Sequence, residues 1–258
     1  MLIEFIFSTI WMVKIMKYFV ISDVHGNIEA LTAAIQKSGF ESGNDQHLLI
    51  CNGDMFDRGL YSKEVFAYLS EIPNIIHIRG NHDTMLIEFY EDAGSPSVEF
   101  NYNENGLRAT LASFSGIPNN DIDMVWTKKR EMLVDKIIAL NPPLYKHMYS
   151  LLDYYETKTH IIVHAGLNSD PNVDWKEAST LNQLTWDRDF INKDTSHLGK
   201  TIVVGHTCVD SIRRTLIEQG RLEPGDYDRS PVYIDDKVFI DGCAYKGNGQ
   251  VNVYIFEE

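Results

Sequence analysis

Short apolar runs alternate along the chain with longer segments whose apolar positions recur every three to four residues. The runs at Tyr18–Ile21, His47–Cys51, Ile75–Ile78, His160–Val163, Ile202–Val204, Val232–Ile234, Val238–Ile240 and Val251–Ile255 are mostly rich in Val, Ile, Phe or Tyr. They read as β-strands, several of them buried on both faces. Helical spacing covers Asn27–Lys37, Ser62–Glu71, Lys128–Ala139 and Pro143–Tyr155. The early part is strand–helix–strand–helix–strand, which implies parallel pairing. The last third has strands with short connections, the pattern of an antiparallel meander. Two sheets covered by helices fit this order. Residues 84–158 carry no chemical motif and read as a helical insertion, which could shape substrate access or simply add stability.

Size and charge narrow the classes. At 258 residues and 29.5 kDa the chain can form one large, well-buried domain, placed here at residues 16–258 with the insertion inside it. A net charge of −14 gives no basic footprint for nucleic acid, and no such scaffold binding is expected. An acidic chain repels phosphate unless something local reverses the field, and bound cations would do so. Cys51, Cys208 and Cys243 form no CxxC pair, which predicts buried free thiols in a reducing cytoplasm. The apolar start MLIEFIFSTIWMVKI is too short to span a bilayer and has no small-residue cleavage site. Since Met16 opens a natural-looking beginning, residues 1–15 read as an upstream extension from a misassigned start codon.

The chemistry gathers at predicted strand ends. Five clusters lie there: Asp23-Val24-His25-Gly26-Asn27, Gly53-Asp54-Met55-Phe56-Asp57-Arg58-Gly59, Gly80-Asn81-His82-Asp83, His164-Ala165-Gly166-Leu167 and Gly205-His206-Thr207. Ligands of open α/β sheets bind outside the carboxyl ends of the strands. Asp23 and His25, two apart on an extended segment, point to one side. Asp54 adds a carboxylate, Asn81 an amide oxygen, and His164 and His206 two imidazoles. Oxygen and nitrogen donors without thiolate suit Mn, Fe or Zn. A carboxylate such as Asp54 can bridge two cations about 3.5–4 Å apart, the spacing used in phosphoryl displacement. Taken singly, each histidine is more often structural than a ligand, and Asp57-Arg58 alone could be a surface ion pair. It is the set that points to a metal site.

In order, SDVHG, GDMFDRG, GNHD, HAGL and GHT resemble the motif set of the PPP-type serine/threonine phosphatases, within the calcineurin-like phosphoesterases. The resemblance implies a four-layer αββα sandwich of two mixed sheets with flanking helices. It implies that Asp23 and His25 bind one metal, that Asp54 bridges, and that Asn81, His164 and His206 bind the second. Manganese stands ahead of iron or zinc. It further implies that His82 is a general acid oriented by Asp57, and that Arg58 and, from a shorter motif, Arg188 hold the phosphate. Hydrolysis then proceeds by direct attack of a metal-bridging hydroxide, with no covalent phosphoenzyme. Ser22 departs from the family, which usually has Gly there, and the long active-site loop of the eukaryotic enzymes is not recognisable.

The expected substrate is a phosphorylated protein or a small phosphoester, acted on by a cytoplasmic monomer or weak oligomer with no membrane role. The rivals are dinucleoside-tetraphosphate or RNA-cap pyrophosphohydrolysis and a non-catalytic phosphoprotein-binding role. Asp241 reads equally as a turn residue or as support for the ligands, and Trp186 as support for Arg188.

Overall fold

The computed structural model describes residues 15–258. The reading of residues 1–15 as an extension lies, Ile15 apart, outside that range. The first half runs β1 (Lys17–Ile21), α1 (Ile28–Ser38), β2 (His47–Asn52), α2 (Ser62–Ser70), β3 (Ile75–Ile78) and α3 (Asn81–Glu91). There follow α4 (Pro96–Phe100), a π-helical turn at Asn101–Asn105, α5 (Leu107–Ser115), α6 (Ile122–Leu140) and α7 (Pro142–Met148). The second half holds β4 (Tyr154–Glu156), β5 (His160–Val163), α8 (Trp175–Ala178), α9 (Leu181–Trp186), β6 (Thr201–Val204) and α10 (Val209–Glu218). It ends with β7 (Val232–Ile234), β8 (Lys237–Phe239) and β9 (Tyr254–Glu257).

Two mixed sheets result, in orders β3-β2-β1-β9 and β4-β5-β6-β8-β7. Strand alternation builds three apolar layers from them. Tyr18, Val20, Ile50 and Ile78 of the first sheet meet Ile162, Val203 and Val238 of the second between the sheets. The alternate residues Phe19, Ile21, Leu49 and Cys51 face helices α1–α7. On the far side, Ile161, Val163, Ile202 and Val204 pack with Trp175, Leu184, Ile212 and Leu216. This is the four-layer sandwich that the motif resemblance implied.

The early parallel pairing is present, β1 with β2 and β2 with β3. The antiparallel meander is not. β8 runs parallel to β6; β7 pairs antiparallel with β8 across a two-residue turn, and β9 pairs antiparallel with β1 in the other sheet. The predicted helix over Pro143–Tyr155 stops at Met148. Leu152 instead bonds across to β3, donating to His77 O at 3.0 Å and accepting from the Arg79 amide at 2.7 Å. Tyr154 and Tyr155 then pair antiparallel with β5, where aromatic residues pack well. The last strand is shifted to Tyr254–Glu257. Of the three cysteines read as free thiols, Cys51 is buried and unpaired, while Cys208 and Cys243 are brought side by side with Cα atoms 5.4 Å apart. Thirty-five positions separate the pair, so spacing gave no signal of it. No helix among the described residues is long and apolar enough to cross a membrane.

Candidate active site

The strands deliver all six predicted ligand residues to one place, each in the loop after a strand or at the start of the helix that follows. His25 Nε2 lies 3.9 Å from Asp23 Oδ1 and 3.8 Å from Asp54 Oδ2. His164 Nε2 lies 3.4 Å from Asp54 Oδ1 and 3.1 Å from Asn81 Oδ1, and His206 Nδ1 lies 2.8 Å from the same Asn81 oxygen. The His206 amide donates to Asp23 Oδ2 at 3.0 Å, closing the ring of segments. All six residues are buried.

Backbone carbonyls set the imidazole orientations. His25 donates from Nδ1 to Phe56 O at 2.8 Å, and His164 from Nδ1 to Asn52 O at 2.8 Å. That leaves each Nε2 facing inward, the usual arrangement of a metal-ligating histidine and its outer hydrogen bond. His206 Nε2 is buried with no hydrogen-bond partner. Such an orphaned atom is costly unless something else satisfies it. Two subsets, His25–Asp54–His82 and Asp54–His164–His206, have donor atoms within 4.8 Å of one another. The residues present therefore fit a pair of divalent cations sharing Asp54.

Electrostatics agrees. Burial pushes the Asp23 carboxyl up, and neighbouring Asp241 pushes the same way. Burial also acts to raise Asp54, but His164, His82 and His25 outweigh it and hold that carboxyl well below its usual range. Burial opposes charge on His164, yet Asp54 and Asp23 draw its pKa up to about 10. These buried carboxylates demand positive charge, which cations supply.

The backbone at the site is unusual. Eight non-glycine residues among those described have positive φ, and six are Asp23 (53°), His25 (47°), Asp54 (56°), Asp57 (67°), Arg58 (67°) and His206 (62°). Conformations of this kind cost roughly 1–3 kcal/mol each and persist where the surroundings over-determine them. Gly53, with φ +81°, shows how tight those surroundings are. A Cβ there would lie 2.5 Å from His164 Nδ1. The N-terminus of α3 adds support, since the His82 amide donates to Asp54 Oδ1 at 3.0 Å. Asp83 accepts from the Gly80 amide at 2.8 Å and the Asp54 amide at 3.1 Å, so it braces both loops.

His82 and Asp57 stand beside the cluster. His82 Nδ1 donates to Asp57 Oδ2 at 2.8 Å, with both side chains buried. Its Nε2 lies 3.9 Å from Asp54 Oδ2. Arg58 donates from Nη1 to His25 Nε2 and from Nη2 to His82 Nε2, both at 3.0 Å. Arg188 is exposed, forms no hydrogen bond or ion pair among the described residues, and lies near enough to His206 to act on its charge. Trp186 turns its ring edgewise to His206 at 5.8 Å.

Several site residues escaped sequence reasoning. Thr110, on α5 of the segment read as motif-free, donates to Asp57 Oδ1 at 2.5 Å and accepts from the Asp57 amide at 2.8 Å. Gly106 accepts from the Arg58 amide at 3.2 Å, at a spot where any Cβ would strike Arg58. Tyr245 lays its ring 4.2 Å from the Arg58 guanidinium and edgewise to His25 at 5.4 Å. Ser22, the departure from the family pattern, hydrogen-bonds Asp23 through its hydroxyl. A lone threonine inside a helix gives no sequence signal; an aromatic in the Gly-bounded loop after Asp241 could have raised suspicion of Tyr245.

Comparison with known proteins places this geometry. The family profile described as calcineurin-like phosphoesterase matches residues 16–229. Proteins named bis(5′-nucleosyl)-tetraphosphatase PrpE (asymmetrical) from Bacillus anthracis and Bacillus thuringiensis are 26% identical over 167 residues, 60% of this chain. The match spans 59% of those relatives' length. A crystal structure of a candidate diadenosine tetraphosphatase superposes with TM-score 0.54 at 14% identity, over 95% of this chain and 90% of that one. A cold-active protein tyrosine phosphatase does so with TM-score 0.54 at 13% identity, over 93% and 73%. These likenesses establish the shared fold, and the family match over most of the chain establishes descent: this chain belongs to the calcineurin-like phosphoesterase family.

Proposed function

We propose that the protein hydrolyses phosphomonoesters, with phosphoserine and phosphothreonine of proteins as its substrate class. Asp23 and His25 would hold one cation, Asn81, His164 and His206 the other, with Asp54 shared and manganese the first metal to test. Such cations bring the pKa of bound water near neutrality and offset the charge of the phosphate.

The residues of the chain supply the rest. Arg58 and Arg188 receive the phosphoryl oxygens, Arg58 leaving the two imidazole nitrogens it holds at 3.0 Å. The vacated His82 Nε2 carries a proton, kept in line by Asp57 at 2.8 Å on Nδ1. As a water oxygen bonds to phosphorus and the phosphorus–oxygen bond of the ester breaks, that proton passes to the departing oxygen, a contribution of about 10²–10⁴-fold. The observation that carries the reading is this buried His82–Asp57 pair beside the donor cluster.

A second reading has a specific support: the PrpE relatives are named for asymmetric cleavage of bis(5′-nucleosyl) tetraphosphates. The two readings share one site and differ in what leaves. A panel of 4-nitrophenyl phosphate, phosphoserine peptides and diadenosine tetraphosphate in manganese separates them. Asp54→Asn should abolish turnover of all three, and a near-normal rate in that variant removes the metal-site assignment.

A further inference from the structure

A recess of about 180 Å³ opens directly off the donor cluster. Its floor is one stripe of α3, Asn81, Thr84, Met85 and Glu88, the i, i+3, i+4, i+7 spacing of a single helix face. Trp186 and Phe100 stand at the recess, 37% and 60% exposed. Aromatic side chains left partly open at a concave site are candidates for contact with a ligand. The volume falls below the roughly 300–1,000 Å³ of pockets that enclose a whole drug-sized ligand, so a part of the substrate belongs here.

The lining selects which part. Asn105 Nδ2 donates to Asn101 Oδ1 at 2.7 Å. That leaves the Asn101 amino group and the Asn105 carbonyl without a protein partner among the described residues, one donor and one acceptor side by side. A phenyl ring offers nothing to such a pair, whereas the edge of a nucleobase offers both partners. Stacking on Trp or Phe suits every base because each has a π-face. Length agrees too. Asn81 to Glu88 spans about 10 Å along the helix axis at 1.5 Å per residue, the scale of a ribose and base extending from a 5′-phosphate.

We propose that this recess seats the base of a 5′-nucleotide whose phosphate lies on the donor cluster, so that the site takes nucleotide esters in addition to phosphoproteins. The inference rests on the metal-dependent phosphoester hydrolysis proposed above and goes beyond it by assigning a base-binding subsite. Phe100 and Trp186 clasp the ring, and Asn101 with Asn105 reads its edge.

The test compares AMP with ribose 5-phosphate, which lacks only the base, as inhibitors of manganese-dependent 4-nitrophenyl phosphate turnover. Tryptophan fluorescence is followed in parallel. AMP should bind tighter by roughly tenfold or more, the scale of one stacked base. It should also quench emission in the wild type and lose that quench in Trp186→Leu. In Phe100→Ala the preference for AMP over ribose 5-phosphate should shrink toward one. Equal binding of the two ligands, or a preference that both variants leave intact, overturns the proposal. A phosphopeptide with a neighbouring aromatic residue that competes through Phe100 and Trp186 as well as AMP does also overturns it. If the aryl phosphate is turned over while AMP shows no preference, only the base site is wrong. If no ester is hydrolysed, the hydrolytic reading fails, and the fluorescence titration still reports on the base.

Discussion

Replacing Thr110 with valine removes a hydroxyl and little else, yet it should reach the reaction through two other residues. Thr110 is fully buried and lies between the Asp57 carboxylate, to which it donates at 2.5 Å, and the Asp57 amide, from which it accepts at 2.8 Å. A hydrogen bond to a charged group is worth about 1.5–3 kcal/mol, and a buried amide left unpaired costs about 1–3 kcal/mol. Partial relaxation makes a stability loss of about 2–3 kcal/mol the expected outcome. The melting temperature then falls by roughly 2–4 °C per kcal/mol. Thr110 touches no reacting atom, so its catalytic effect depends on how much the reaction needs the His82 proton. 4-Nitrophenolate leaves readily without a proton, and an alkyl alkoxide does not. Turnover of an alkyl phosphate should therefore drop about tenfold, part of the roughly 10²–10⁴-fold that a general acid supplies. 4-Nitrophenyl phosphate should lose at most a few-fold. Thr110→Ser, which keeps the hydroxyl, should restore the alkyl rate. Steady-state kcat/KM on both esters, with thermal unfolding alongside, makes the check. Equal losses on the two esters would refute the argument, because they would place Thr110 on phosphate or metal binding and not on the proton.

Chelation with EDTA should abolish turnover and lower the melting temperature of the wild type, with manganese restoring both; Asp54→Asn should show no such response in melting. Gly53→Ala should cost about 1–3 kcal/mol and weaken metal affinity, since its Cβ would push His164 off Asn52; calorimetric metal titration and urea unfolding read the two effects. His77, on β3 against the His147 ring at 4.4 Å, has its pKa lowered from 6.5 to about 3 by burial and by His147. A base depressed on folding lends stability above its unfolded pKa and loses it as pH falls from about 6.5 toward 3, at up to about 1.4 kcal/mol per pH unit. His77→Phe should flatten that slope in urea unfolding between pH 7 and 5, and an unchanged slope would count against the burial argument.

The clustering of the candidate ligand residues was legible because chemistry and topology coincide in them. Asp23, His25, Asp54, Asn81, His164 and His206 follow strand ends closely, and apolar runs mark strands well. What supports them was not legible. Thr110 and Gly106 sit in a helical segment whose pattern speaks only of packing, and their partners Asp57 and Arg58 lie some fifty positions away. The Pro143–Tyr155 helix failed for a similar reason, as Leu152 found bonds on β3 that local spacing cannot reveal. Parallel β6–β8 pairing likewise depends on the return path through α10, not on the strands themselves.

The stretch of residues 84–158 was expected either to shape substrate access or to add stability. It carries Thr110 and Gly106, which hydrogen-bond Asp57 and the Arg58 backbone, and also Phe100, Asn101 and Asn105, which line the recess. Two duties thus travel on one uninterrupted length of polypeptide. Grafting this stretch from a relative to alter what the site accepts would exchange the supports of Asp57 and Arg58 in the same stroke. Preference and rate should then shift together in such chimeras, and altering either alone calls for point changes along the Phe100–Asn105 turn.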